Sequence, residues 1–507
     1  MISRSLRYPR LLALGAGALT TLAFAWFNLW PLALAGPALL FFLWSRPGGR
    51  GFATGYAYGL GLMGSGVSWL YVSIAQFGDL GWLFPLAITF GFVALMALYY
   101  GLLGWLAQRF TAPALPRLLL IFPALWVVLE WLRGWFLSGF PWLQLGYSQI
   151  DAPLAGYAPV LGVLGISWLL ALSAALLLLL FRRGGVRWGA LAGLALIWGA
   201  GWGVGQRDWS RVSGDPLSVA LVQGNISQAL KWEPEQLTPS LVLYAQQSKP
   251  HFGRDLIVWP ETAISAFQFQ VDEAFLQPLE TQLKRHASHL VFGVVRLDAE
   301  QKHYFNAMVA LGNEQRDSYF KRHLVPFTEY LPFKSLLQPL VQIFTIPMSD
   351  FSRGRAVKPL MQVGPHQAGL SICYEDAFGV EMSQALPEAA YLINASNDAW
   401  FGRSLAPPQH LQIARMRALE MGRYLLRATN TGISAIIGPK GELKATAPLQ
   451  EMAVVTGQIL PMRGITPFAR FGNWPLMGML FLSLTVAFFL GHVRFRSERR
   501  VPGQGIR

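Results

Sequence analysis

A multi-span helical membrane region joined to an extracytoplasmic α/β domain is the fold class this sequence predicts, on three observations. Of its 507 residues, 53% are hydrophobic and only 13% charged, too apolar for an ordinary soluble protein. All lysines lie between Lys231 and Lys444, and before Gln206 the only acidic residues are Asp79, Glu130 and Asp151, so apolar ends enclose a polar middle. Within that middle, short β-rich runs alternate with segments of helical composition.

Stretches that match the roughly 17–25 residues of a spanning helix fall at 11–29, 52–75, 82–107, 118–136, 157–181, 188–205 and 474–493. A shorter piece at 31–45, opened by Pro31 and closed by Ser45-Arg46-Pro47, counts as an eighth. Arg4, Arg7 and Arg10 precede the first span, Arg46 and Arg50 follow the second, Arg109 and Arg117 the fourth, and Arg182, Arg183 and Arg187 the sixth. Basic loops stay in the cytoplasm, so these mark the inner side, while the arginine-poor turns near 28–31 and 76–81 face outward. Seven spans then carry residue 206 to the outer side, and the eighth returns Arg494, Arg496, Arg499 and Arg500 to the cytoplasm. The expected organisation is a membrane domain at 1–205 with seven transmembrane helices, an extracytoplasmic domain at 206–471, and an eighth helix with a basic tail at 472–507. Ala33-Leu34-Ala35 has the pattern of a signal-peptidase site, but the apolar run before it exceeds the usual ~7–15 residues of a signal peptide. The net charge of +14 serves orientation and contact with anionic lipid, and without a recognition module it does not point to nucleic acid. Trp126, Trp131, Trp135 and Trp142 read as interface anchors and helix packing. Glu130 and Arg133, one helical turn apart, could pair or touch a phospholipid headgroup.

The middle has a continuous apolar character at 217–222, 256–259, 290–295, 307–311, 368–373, 390–394 and 433–437, with helical segments such as 275–286 and 409–427 between them. Such strands are buried on both faces, which argues a sandwich of sheets covered by helices. Polar residues at the ends of these runs are the candidates for chemistry. Trp259-Pro260-Glu261-Thr262 ends one run with a carboxylate, which could equally belong to a helix start. Lys321 lies in mainly apolar company in Tyr319-Phe320-Lys321-Arg322-His323, although a solvated lysine is the common case. Cys373, the only cysteine, ends a third run and is followed by Tyr374 and Glu375. A single thiol forms no intrachain disulfide, so it either packs inertly or reacts. Together the three make a complete set for acyl transfer: a thiolate to attack a carbonyl, a carboxylate to move protons, and a cation to steady the oxyanion. A cysteine-histidine pair using His323 or His410, or a metal held by His286 and His289, are competing schemes that lack a third member.

Six segments carry a family resemblance: Val222-Gln223-Gly224-Asn225, Trp259-Pro260-Glu261-Thr262-Ala263, Lys321 through Phe327, Cys373-Tyr374-Glu375, Asn397-Asp398-Ala399-Trp400-Phe401-Gly402, and Gln409 through Arg415. In this order they resemble the carbon-nitrogen hydrolase (nitrilase) superfamily and, within it, the family of bacterial apolipoprotein N-acyltransferases. The resemblance implies an α-β-β-α sandwich with Glu261 as general base, Lys321 as oxyanion stabiliser and Cys373 as nucleophile, supported by Trp232, Glu329, Tyr374 and Glu375 near the pocket, with no metal or other cofactor. It further implies a multi-pass protein of the bacterial inner membrane with its catalytic domain on the periplasmic side. Its acyl donor would be a membrane phospholipid, typically phosphatidylethanolamine, and its acceptor the amine of the diacylglyceryl-cysteine that begins an apolipoprotein. The greasy stretch from Phe327 to Phe351, with Leu336, Leu337, Leu340, Val341, Ile343, Phe344 and Ile346, is expected to form an interfacial arm that gates the pocket.

Overall fold

The computed structural model describes residues 8–46, 48, 50–76, 81–110, 112–298, 300–333, 350–355 and 357–499. Of the expected arm from Phe327 to Phe351, residues 334–349 lie outside the described residues, as do Arg4, Arg7, Asp79 and Arg500. The chain divides into two compact units, one of Met1–Ser68, Leu86–Arg207 and Phe471–Arg507, the other of Trp69–Pro85 and Asp208–Arg470.

In the first unit, five helices among the described residues are long and apolar enough to cross a membrane: Leu83–Arg109, Ala114–Arg133, Pro153–Leu179, Gly185–Gly205 and Trp474–His492. The apolar stretch expected at 11–29 is helical only over Pro9–Thr21, and Ala33 to Ala35 lie inside the short helix Leu32–Trp44. Small residues bring backbones together, as is usual between helices in lipid. A Cβ on Gly17 would meet the Tyr58 carbonyl oxygen at 2.0 Å, and one on Gly61 would meet that of Leu14 at 2.0 Å. Trp126 and Trp142 are buried rather than anchored at an interface, whereas Trp135 is exposed. The Trp126 ring packs edge-on against Phe41, Tyr58 and Tyr100, and its Nε1 donates to Glu130 at 2.9 Å. Glu130 also accepts the Leu145 N–H at 3.0 Å, and Arg133 donates to the carbonyls of Phe140 and Trp142. Both charged residues therefore serve the interior of the helical unit instead of meeting a headgroup.

The stretch expected as one span at 52–75 is broken. Its first part forms the helix Gly51–Gly66, Val67 leaves helical geometry with φ −119°, and Trp69–Ala75 forms a separate helix in the second unit. There the Trp69 indole donates to Gln409 Oε1 at 3.2 Å and meets the Phe401 ring edge-on.

The second unit is an α/β sandwich. Its strands are β1 (Arg211–Val212), β2 (Leu217–Gln223), β3 (Leu256–Val258), β4 (Ile264–Phe267), β5 (His289–Leu297), β6 (Tyr304–Leu311), β7 (Asp317–Phe320), β8 (Leu360–Val363), β9 (His366–Ile372), β10 (Tyr391–Ser396), β11 (Leu425–Thr429), β12 (Ala435–Ile437), β13 (Leu443–Thr446), β14 (Ala453–Ile459) and β15 (Met462–Arg463). One sheet runs β14-β2-β3-β5-β6-β7 with β4 beside β5, the other β13-β12-β11-β10-β9-β8, and β1 pairs with β15. The centres of both sheets are parallel, β2-β3-β5 in one and β9-β10-β11 in the other. Parallel neighbours need long crossovers, supplied here by helices such as Pro234–Ser248 and Ala406–Met421.

Three layers of apolar contact follow from the alternation of side chains along a strand. Val219, Leu221 and Val258 of one sheet meet Leu370, Ile372, Ile393 and Ala395 of the other. Their neighbours Ala220, Val222 and Ile257 turn outward onto Leu241, Leu279 and Leu283 of the helices. On the far side, Leu392 and Leu425 pack against Leu411, Ala414 and Ala418. The order is helix, sheet, sheet, helix, and burial on both faces explains why the strands read as unbroken apolar runs.

Candidate active site

Each of the three sequence-predicted chemical residues follows a strand: Glu261 after β3, Lys321 directly after β7 and Cys373 directly after β9. The outer ends of parallel strands are where open α/β sheets place their ligands. Lys321 is buried, and its Nζ donates to Glu329 Oε1 at 2.9 Å and to Glu261 Oε1 at 3.3 Å. Asn306 of β6 binds the same two carboxylates through Nδ2, at 2.7 Å to Glu261 and 3.1 Å to Glu329. Glu329 also accepts the Val325 N–H at 2.8 Å, which closes its own loop. Burial alone would pull the Lys321 ammonium down, but Glu261 and Glu329 outweigh it and hold the pKa above its ordinary value. Lys321 is thus a fixed cation.

Cys373 is partly exposed and packs against the core between the sheets. Its φ of +52° is a left-handed conformation that side chains beyond glycine seldom adopt, and such strain gathers at functional sites. Two groups hold the turn: Asn394 Nδ2 donates to the Cys373 carbonyl at 3.2 Å, and Glu375 accepts the Ile372 N–H at 2.8 Å. Burial and the Glu261 carboxylate push the thiol well up, against the opposing pull of Lys321 and the Asn397 N–H. The sulfur therefore rests as a neutral thiol that needs a base to become a nucleophile.

Glu375 does more than close its turn. Its buried carboxylate accepts the N–H groups of Arg322 at 2.6 Å and His323 at 3.0 Å and the Tyr319 hydroxyl at 2.9 Å. One side chain thereby ties the loop after Lys321 to the loop after Cys373. Tyr374 is partly exposed and meets the Phe378 ring edge-on. Trp232, also partly exposed, caps the short helix Gln228–Lys231, whose last residue Lys231 donates to the Glu261 carbonyl oxygen.

Sequence reasoning missed a charged network behind the cysteine. His410 Nε2 bonds Asp376 Oδ1 and Nδ1 bonds Asp398 Oδ1, each at 2.9 Å. Arg427 donates to Asp398 at 2.9 Å, to Asp376 at 3.3 Å and to Asn394 at 2.6 Å. Burial and Arg427 press the imidazole down, yet the two aspartates carry it up to about 9. With a carboxylate on each ring nitrogen, His410 has none free to take a proton from Cys373. His410 therefore does not stand as the base of a cysteine-histidine pair. His323 bonds Glu381 at 3.0 Å and stacks on Phe378. His286 and His289 each approach a backbone carbonyl, of Gln282 and Asp255. Asn306 was also missed, and its signal was a polar residue inside an otherwise apolar strand. Beside Asn397, which donates to Gln228 at 2.7 Å, an open pocket of about 470 Å³ is lined by Asn225, Ser227, Gln228, Ala399, Gly402 and Thr431 among others.

This chain is 47% identical to the apolipoprotein N-acyltransferase of Methylococcus capsulatus over 92% of its own length and 94% of the relative's. The chain belongs to the apolipoprotein N-acyltransferase family. The apolipoprotein N-acyltransferases of Vibrio parahaemolyticus and Nitrosomonas europaea are 41% and 42% identical to it, over 94% and 96% of this chain and 95% and 98% of theirs. The family description "Apolipoprotein N-acyltransferase N-terminal domain" matches residues 16–176, and "Carbon-nitrogen hydrolase" matches 218–463. The second match encloses the whole Glu261, Lys321 and Cys373 constellation, so the apolipoprotein N-acyltransferase membership and the geometry fall on the same sandwich.

Proposed function

We propose that this chain performs the apolipoprotein N-acyltransferase reaction with Cys373 carrying the acyl chain as a thioester. The activity goes with the family, whose members match over more than nine-tenths of the chain. What carries the residue assignment is the buried Glu261–Lys321 pair acting on a thiol that is neutral at rest. Glu261 takes the thiol proton and the sulfur attacks the ester carbonyl of a phospholipid. The tetrahedral oxyanion forms beside Lys321, whose charge is preorganised for it. As the intermediate collapses, Glu261 returns the proton to the departing lysophospholipid oxygen, and the acyl chain stays on sulfur. The acceptor amine then attacks the thioester carbonyl, gives a proton to Glu261 and displaces the thiolate, which is reprotonated.

On this reading the donor is phosphatidylethanolamine and the acceptor is the amine of a diacylglyceryl-cysteine. Eight membrane crossings, with boundaries near 205 and 472, place the α/β domain on the outer side of the bacterial inner membrane. Supporting this are the arginines that recur after alternate apolar segments and the arginine-poor turns between them. Phe327 and Phe333, in the first part of the expected interfacial arm, are 55% and 65% exposed, as suits a segment that meets lipid. The test is intact-mass spectrometry of the protein after exposure to phosphatidylethanolamine. An acyl adduct on Cys373 that a diacylated lipopeptide removes is expected, and an adduct that water discharges equally fast without lipopeptide would sink the transferase mechanism.

A further inference from the structure

Among the described residues, two lysines are buried, Lys321 and Lys231, and the reaction above gives Lys231 no task. Its Nζ donates to the Glu261 carbonyl oxygen at 3.1 Å and to Thr262 Oγ1 at 2.8 Å. Both acceptors belong to the link between Glu261 and Thr262, and that link is strained. Thr262 has φ +43°, a left-handed conformation in which a β-branched side chain is a genuine outlier. Outliers of this kind persist only where the surroundings hold them. From below, the loop presses on β5, where a Cβ on Gly293 would meet the Thr262 nitrogen at 2.3 Å and the Pro260 carbonyl oxygen at 2.5 Å. From the other side, Lys231 is the side chain that grips it.

We propose that Lys231 is a positioning residue: its nitrogen clamps the left-handed Glu261–Thr262 link and so aims the Glu261 carboxylate at Cys373. This rests on the thioester reading given above. Without the clamp, the backbone relaxes toward ordinary φ, and the carboxylate turns away from Asn306 and Lys321. The clamp does not require a fixed charge, since the ammonium and the neutral amine both donate hydrogen bonds. Consistent with that, burial brings the Lys231 pKa down to about 8, despite the upward pull of Glu261 and Cys373.

The experiment is single-turnover acylation of Cys373 by phosphatidylethanolamine, followed by mass spectrometry of the full chain in detergent. K231M should slow adduct formation by about tenfold to a hundredfold, the scale of a small misplacement of a reacting group. Adding T262G to K231M should restore most of that loss, because glycine adopts the left-handed conformation without a clamp. A role through charge or through packing would gain nothing from T262G. An unchanged rate in K231M, or a loss that T262G leaves unrepaired, overturns the proposal. Should K231M fail to fold, judged by thermal unfolding, K231Q, which retains a donor, should acylate at close to the unaltered rate, and a loss of about tenfold or more that T262G leaves unrepaired overturns the proposal. Absence of the adduct in the unaltered protein would instead remove the thioester reading, and this proposal with it.

Discussion

Lys321 has two obligations, and they set what its removal does. It stands between Glu261 and Glu329 with almost no exposure, so on the proposed mechanism K321A takes the cation from the oxyanion and from two buried carboxylates together. Losing an oxyanion donor commonly costs roughly a hundredfold to a thousandfold in rate. Breaking a buried ion pair by removing one partner costs on the order of 3–5 kcal/mol of stability. K321A should therefore lose turnover and melt earlier, and K321A/E329Q should regain much of the melting temperature with none of the activity. Parallel thermal unfolding and acylation assays check both, and a wild-type rate in K321A would refute the role. The sequence announced Glu261 and Cys373 because each is a chemically loaded side chain at the end of an apolar run, and Lys321 because it is a lysine in mainly apolar company. Lys231 made no such announcement. A lysine in a short polar segment reads as solvated until the tertiary fold buries it, and a positive φ at a threonine leaves no mark in composition.

The helix Ala406–Met421 shows where element-level reading runs out. Nearly all of its residues are buried, among them Gln409, His410, Gln412, Arg417 and Glu420, so it has no solvent face for an amphipathic pattern to reveal. Arg417 and Glu420 pair within the helix, but others find partners distant in sequence, as His410 does in Asp376 and Asp398. The same blindness hid the break after Gly66, because hydropathy averages across Val67 and Ser68 and does not sense that Trp69 bonds Gln409. The central strands, by contrast, were legible, since burial on both faces writes itself as a continuous apolar run, whereas partly exposed edge strands such as β13 and β14 left no such run. The His410 arrangement also has a pH signature. Its folded pKa is raised from 6.5 to about 9, so its contribution to stability is complete below about 6.5 and is lost as pH rises through 9. Lys231 runs the other way: its folded pKa is lowered from 10.5 to about 8, so stability is gained as pH climbs between those values. The unfolding free energy of the protein minus that of H410Q isolates the first effect. That difference should shrink between pH 7 and pH 9.5, and a constant difference would remove the charged imidazole from the account.

For the whole molecule, the proposed sidedness makes a direct prediction. In a C373S background, a single cysteine at position 440, where the lysine side chain is 51% exposed, should react with a membrane-impermeant maleimide on right-side-out spheroplasts. A cysteine at position 183, on the exposed arginine after the sixth expected span, should react only after permeabilisation, and the reverse pattern would invert the topology. The six motifs made the family and the sandwich readable, while the number of crossings depends on short helices whose lengths straddle what a bilayer demands. The sheet order has its own bearing on how the protein is made. Strand β2 lies between β3 and β14, and its antiparallel partner β14 pairs Ala453 with Gln223 at one end and Ile459 with Leu217 at the other. More than two hundred residues separate the two strands in the chain. Synthesis adds roughly 5–20 residues per second, so one edge of β2 waits on the order of tens of seconds for its neighbour. An open edge is a template for wrong pairing. A nascent chain stalled before Ala453 would keep that edge exposed, which makes the stretch of translation between Gln223 and Ala453 the interval in which the α/β domain most needs protection from wrong pairing.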